Sequence, residues 1–87
     1  MRKMATAQDF LKNGRVNSYP KKREKLDLVL GYLISKFDRA RVYSEREINE
    51  ILDNHIIYRD YVFFRRELVD RGYLVRTRDG KQYRRNK

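Results

Sequence analysis

The chain has 87 residues, no cysteine, and a formal net charge of +10 at pH 7 with a pI near 10.2. That length makes one domain with a small core, and the missing cysteines exclude disulfides and thiolate zinc sites. No apolar run approaches membrane-spanning length, so a soluble, cytoplasmic protein with no membrane partner is expected, and the charge favours a polyanion as partner.

Residues 1–20 read as an N-terminal arm, and residues 21–87 as the domain it serves. Within the arm, Ala5 to Lys12 has the composition of a short helix that Asn13-Gly14 would stop. Pro20 disfavours the α region at Tyr19, so an extended turn is expected there. Phe10, Leu11 and Val16 are the residues that would dock the arm.

A helix over 21–37 is the clearest element. Leu26, Val29, Leu30, Leu33, Ile34 and Phe37 recur at the spacing of one buried face. Leu28 and Tyr32 lie four apart on a different face, which a purely polar back would not need. They form a candidate protein interface, for the arm or for a second subunit. Lys21, Lys22 and Arg23 oppose the dipole at the start of this helix, and phosphate contact is the functional reading of them.

Arg41-Val42-Tyr43 reads as a short extended segment. Ser44-Glu-Arg-Glu47 is a capping box, with Tyr43 and Ile48 at the flanking staple positions. A helix over 45–53 follows, with Ile48, Ile51 and Leu52 inward and Glu45, Glu50 and Asp53 outward. Of Ile56 and Ile57, at least one should pack inward.

A third helix is expected over 59–71. At 100° per residue, Tyr61, Phe64 and Leu68 face in, with Val62 and Val69 on a flank. Arg59, Phe63, Arg66 and Asp70 face out, and Arg65 should sit at an edge against a carboxylate of the second helix, Glu50 or Glu47. Gly72 suits the left-handed position that ends the helix. A hairpin over 73–85 turns at Asp79-Gly80; a three-residue loop with a Gly bulge would pair Val75 with Tyr83 and a two-residue turn Arg76 with Tyr83, and the second is preferred because it puts Leu74 and Tyr83 on one face. Arg76, Arg78, Lys81, Arg84 and Arg85 crowd this ribbon.

These elements imply an α+β fold: a winged helix-turn-helix of three helices followed by a C-terminal β-hairpin wing. In that arrangement Arg59 and Arg66 lead into a major groove, Arg66 being able to fork onto guanine. Arg76, Arg78, Lys81, Arg84 and Arg85 on the wing, with Lys21, Lys22 and Arg23, would hold phosphates. A protein-interaction or homodimer module using Leu28, Tyr32 and Phe63 is the alternative, and RNA binding a further one. Catalysis is not expected. His55 is the sole histidine, no nucleophile or metal-ligand spacing accompanies it, and no Gly-rich phosphate loop or cofactor motif is present.

Five segments in order carry a family resemblance. They are Phe10-Leu-Lys-Asn-Gly-Arg15, Pro20-Lys-Lys-Arg23, Tyr43-Ser-Glu-Arg-Glu-Ile-Asn-Glu-Ile-Leu52, Arg65-Arg-Glu-Leu-Val-Asp-Arg-Gly72 and Asp79-Gly-Lys-Gln-Tyr-Arg84. Together they resemble the bacterial domain-of-unknown-function family 2087, over about Phe10 to Arg85. Members of that family occur alone or behind an arsenic-repressor-type regulator. The resemblance implies a winged-helix-like fold and a link to transcription, and supplies no biochemical activity. Val62 and Phe63 depart from the small or polar residues expected at those outward positions.

Overall fold

The computed structural model describes residues 11–17, 20, 22–57 and 60–87. Most of the expected Ala5–Lys12 helix, Tyr19, and the candidate contacts Phe10, Lys21 and Arg59 lie outside the described residues. Where that helix was to end, the chain forms a hairpin instead: β1 (Leu11–Lys12) pairs antiparallel with β2 (Arg15–Val16). Asn13 and Gly14 take φ of 55° and 78°, the two left-handed positions of a tight hairpin turn that Asn-Gly supplies at low cost. The dipeptide is a reversal between strands, not a helix stop.

This hairpin belongs to the core. Val16 is fully buried and bridges Ile56 in parallel, its N–H donating to the His55 carbonyl and its carbonyl accepting from the Ile57 N–H, both at 2.8 Å. Leu11 packs on the same cluster. Ile56 is buried and Ile57 exposed, which divides the pair as its sequence position required.

Helix α1 (Arg23–Ile34) buries Leu26, Val29, Leu30, Leu33 and Ile34. It stops three residues short of the expected end because the chain tightens. Lys36 N–H donates to the Leu33 carbonyl and Phe37 N–H to that of Ile34, which closes the helix with shorter-range bonds. Phe37 remains buried and meets the Tyr43 ring edge-on, centroids 5.3 Å apart.

Strand β3 (Val42–Ser44) runs directly into α2 (Glu45–Asn54), and the capping box forms as read: Ser44 Oγ accepts from the Glu47 N–H and Glu47 from the Ser44 N–H. Helix α3 (Tyr61–Asp70) is capped by Asp60, buries Phe64 and Leu68, and ends in a Schellman motif. There Tyr73 N–H donates to the Leu68 carbonyl and Gly72 N–H to that of Val69, with Gly72 at φ +80°.

Strand β5 (Gln82–Arg85) is the centre of a three-stranded antiparallel sheet, with β3 on one side and β4 (Leu74–Arg76) on the other. Arg76 pairs with Tyr83, the expected register, and Leu74 and Tyr83 are both buried. The pairing of β3 with β5, Tyr43 opposite Tyr83, corrects the expectation of a hairpin standing alone after three helices. The architecture is α+β with strands interspersed among the helices and two separate sheets. Among the described residues no helix is long and apolar enough to cross a membrane.

Candidate nucleic-acid interface

Most charges around α2 are matched locally. Arg41 pairs with Glu47, and Arg46 reaches Glu50 at 3.4 Å. Arg65 takes the edge position expected of it against a carboxylate of α2, which is Glu45 at 3.7 Å rather than Glu50 or Glu47, and it reaches the Asn49 side chain at 2.5 Å. Glu45 already accepts a hydrogen bond from the Tyr83 hydroxyl at 3.0 Å, so its carboxylate lies where sheet, α2 and α3 converge. Burial, then the neighbouring Glu45, raise the Tyr83 phenol above its ordinary value. Glu47 sits below the usual carboxylate value, through the Ser44 backbone N–H first and the Arg41 charge as a lesser cause.

The acids of α3 are treated differently from one another. Glu67 is half-buried and 3.1 Å from Arg71 Nε, while Arg71 Nη1 is 3.3 Å from Asp27. Its bond to Glu67 is the main reason the Arg71 guanidinium is held still more firmly protonated. Glu67 therefore presents little net negative charge outward. Asp70 is exposed and shares its helix face with Arg66 and Val62.

Val62, Arg66 and Asp70 stand four residues apart, so they form one row along the solvent side of α3. The row separates two hollows. One, of about 450 Å³, lies between α3 and the sheet, with Arg66 and Val69 on the helix side and Arg76 and Tyr83 on the sheet side. The other, of about 380 Å³, lies beyond it against Asp60, Phe63 and Glu67. No ion pair is found for Arg66, Arg76, Arg78, Lys81 or Arg84 among the described residues.

The β4–β5 connection is organised by Asp79. Its Oδ1 accepts from the Thr77 hydroxyl at 2.6 Å and from the Lys81 N–H at 3.0 Å, and Gly80 N–H donates to the Thr77 carbonyl. The Thr77 bond is the largest cause of a lowered Asp79 carboxyl. The one acid at the tip is thus turned into the loop's own backbone, and Arg78 and Lys81 are left exposed beside it.

The expected cations divide by position. Arg66 and Arg76 face one hollow, and Arg78 and Lys81 occupy the tip. Arg84 alternates to the sheet's outer face, directly opposite Val42 on one side and Val75 on the other. Arg85 is occupied: its guanidinium donates to the Phe37 carbonyl and to the Lys87 carbonyl, each at 3.0 Å. Lys22 and Arg23 are exposed at the start of α1 and do not line the hollow beside α3.

The candidate protein-interface residues are half-buried. Tyr32 donates its hydroxyl to the Gly14 carbonyl at 2.5 Å, with Lys36 Nζ 4.6 Å from its ring centroid, so the N-terminal hairpin uses it. Leu28 lies beside it on α1. Phe63 packs edge-on against Phe64 with centroids 5.0 Å apart, and is less outward than a regular 100° step predicts. His55 Nδ1 bonds the Ile51 carbonyl at 2.8 Å at the end of α2. Among the described residues no three His, Cys, Asp or Glu side chains come together as a metal site.

Two features escaped the sequence reading. Arg15 donates to the Asn54 and Asp53 carbonyls at 3.0 and 3.1 Å, capping the C-terminus of α2. Val42 and Val75 are 53% and 42% exposed on the outer sheet face.

The described residues form a small basic α+β module. The chain is a member of the family described as an uncharacterized protein conserved in bacteria (DUF2087), whose model matches residues 15–85. No curated protein and no solved structure matches the chain.

Proposed function

We propose that this chain is a winged-helix module that binds duplex DNA in transcriptional regulation, a binding protein and not an enzyme. Helix α3 is the recognition helix and the β4–β5 hairpin the wing. The observation that carries this reading is the distribution of unmatched charge. Among the described residues Arg41, Arg46 and Arg65 pair with Glu47, Glu50 and Glu45 of α2, whereas the side chains of Arg66, Arg76, Arg78 and Lys81 form no ion pair. Arg66 on the exposed row of α3 and the cations of the β4–β5 hairpin suit a groove with phosphates along its wall. Arg66 serves a base edge, and Arg78 and Lys81 serve phosphates.

Fluorescence anisotropy with a mixed-sequence duplex over a salt series tests the proposal. Log affinity should fall with log salt by roughly 0.9 per phosphate contact. Arg78→Ala with Lys81→Ala should weaken every duplex about equally and flatten that slope by up to about two. Arg66→Ala should narrow the gap between preferred and random sequence with less change of slope. Wild-type affinity and slope in both variants would remove DNA from first place. Single-stranded RNA in the same titration tests the RNA alternative. The exposed Val42 and Val75 on either side of Arg84 favour the second reading, a protein-interaction module without direct DNA contact.

A further inference from the structure

We infer that Val62 reads the C5-methyl group of a thymine, and that Arg66 addresses a guanine one or two base pairs away on the same site. The inference rests on the duplex-DNA reading and specifies what α3 recognises. Val62 is 41% exposed, in a helix whose other apolar side chains are buried or half-buried. It lines the hollows on both sides of the α3 row, as Arg66 does. Val62 thus stands in the same solvent-facing row as Arg66, four residues before it.

In a major groove the same feature has a ligand. Thymine is the only standard DNA base that presents a methyl group there, and guanine presents the two acceptors that an arginine fork fits. Residues four apart on a helix are about 6 Å apart along its axis. Base pairs repeat at about 3.4 Å, so the two side chains address positions separated by one or two steps. Asp70, at the far end of the row, opposes phosphate at that end and favours entry by the Val62 end. RNA lacks the methyl, and its deep, narrow major groove excludes the helix, so this contact also selects DNA over RNA.

The test begins with a duplex pool carrying a randomised core, enriched on the wild-type chain and then remade with deoxyuridine in place of thymidine. Loss of one contacted methyl corresponds to about fourfold in affinity. Wild type should bind the deoxyuridine pool about fourfold more weakly, and Val62→Ala, with a shorter side chain, should narrow that difference. Val62→Thr keeps the branched shape and should retain part of the discrimination; it also serves if the Ala variant melts abnormally. Equal wild-type binding to both pools overturns the inference and leaves DNA binding standing. Discrimination that persists undiminished in Val62→Ala overturns the assignment to Val62. Failure to enrich any duplex removes the DNA reading itself, and the inference with it.

Discussion

The hairpin at 11–16 turns on Asn13-Gly14 and carries Lys12 and Arg15; the hairpin at 74–85 turns at Asp79-Gly80 and carries Arg76, Arg78, Lys81 and Arg84. Both are basic, and both use a glycine at positive φ. Their surroundings separate them. The first lies against the end of α2, where helix carbonyls have no partner within the helix, and Arg15 takes two of them. The second projects from the sheet, and its tip satisfies its own polar groups through Thr77, Asp79 and Gln82. A cation beside a helix end becomes part of the fold, whereas a cation at a self-contained loop is available to a partner. Charge counts alone do not distinguish the two.

Substitutions sharpen this contrast. The largest expected effect is that of Val16→Ala, which removes two fully buried methyl groups and should cost about 2–3 kcal/mol in chemical denaturation. Val75→Ala in the other hairpin should stay within about 0.5 kcal/mol. Gly14→Ala forces a side chain into a left-handed position and should cost about 1–2 kcal/mol in the same measurement. Arg15→Ala should cost about 1 kcal/mol through the lost carbonyl contacts, and leave the salt slope of DNA binding unchanged. The paired Arg78→Ala and Lys81→Ala substitutions should reverse that pattern, with stability within about 0.5 kcal/mol of wild type and a flattened slope. If Arg15→Ala flattens the slope as much as the wing pair does, the division between the hairpins is wrong.

The smallest effect is a pH response at the tip of the β4–β5 hairpin. The Thr77 hydroxyl and the Lys81 N–H favour ionised Asp79, so its folded value lies below the ordinary 3.8. Its contribution is therefore fully present above 3.8 and is lost as pH falls through the lower, folded value. Amide shifts of Gly80 and Lys81 should follow that titration in acid, and in Asp79→Asn the dependence should vanish.

The sequence exposed those features that depend on near neighbours. The α1 face from Leu26 to Ile34 follows one helical period, and the Ser44–Glu47 box and the Gly72 ending are closed within a few residues. The Asp79-Gly80 hairpin even showed its register, because only one pairing buries both Leu74 and Tyr83. Contacts between distant segments were hidden. Strand β3 has three residues, too few for alternation to announce a partner. Asn13-Gly14 fits both a helix stop and a hairpin turn, and strands of two residues on either side left no period to decide between them. For the candidate site, Arg66 and the tip cations were legible from helix phase and turn position. The use of Arg85 was not, since the Phe37 carbonyl that holds it is a backbone group with no mark in the sequence; for Tyr32 the arm was one of two expected partners, and the Gly14 carbonyl is the group it meets.

The central position of β5 bears on the order of assembly during synthesis. Among the described residues β3 has no sheet neighbour except β5, and Val42 meets Arg84 across about forty residues of chain. While the ribosome is still making α2 and α3, the Val42–Ser44 segment is translated but unpaired, and Tyr43 lacks the strand it will lie against. Closing the sheet thus waits for β5, which must be joined to β3 across both intervening helices. Its speed is set by loop closure and not by the fast helices between. Nascent chains arrested before residue 82 should contain helical structure but lack the three-stranded sheet.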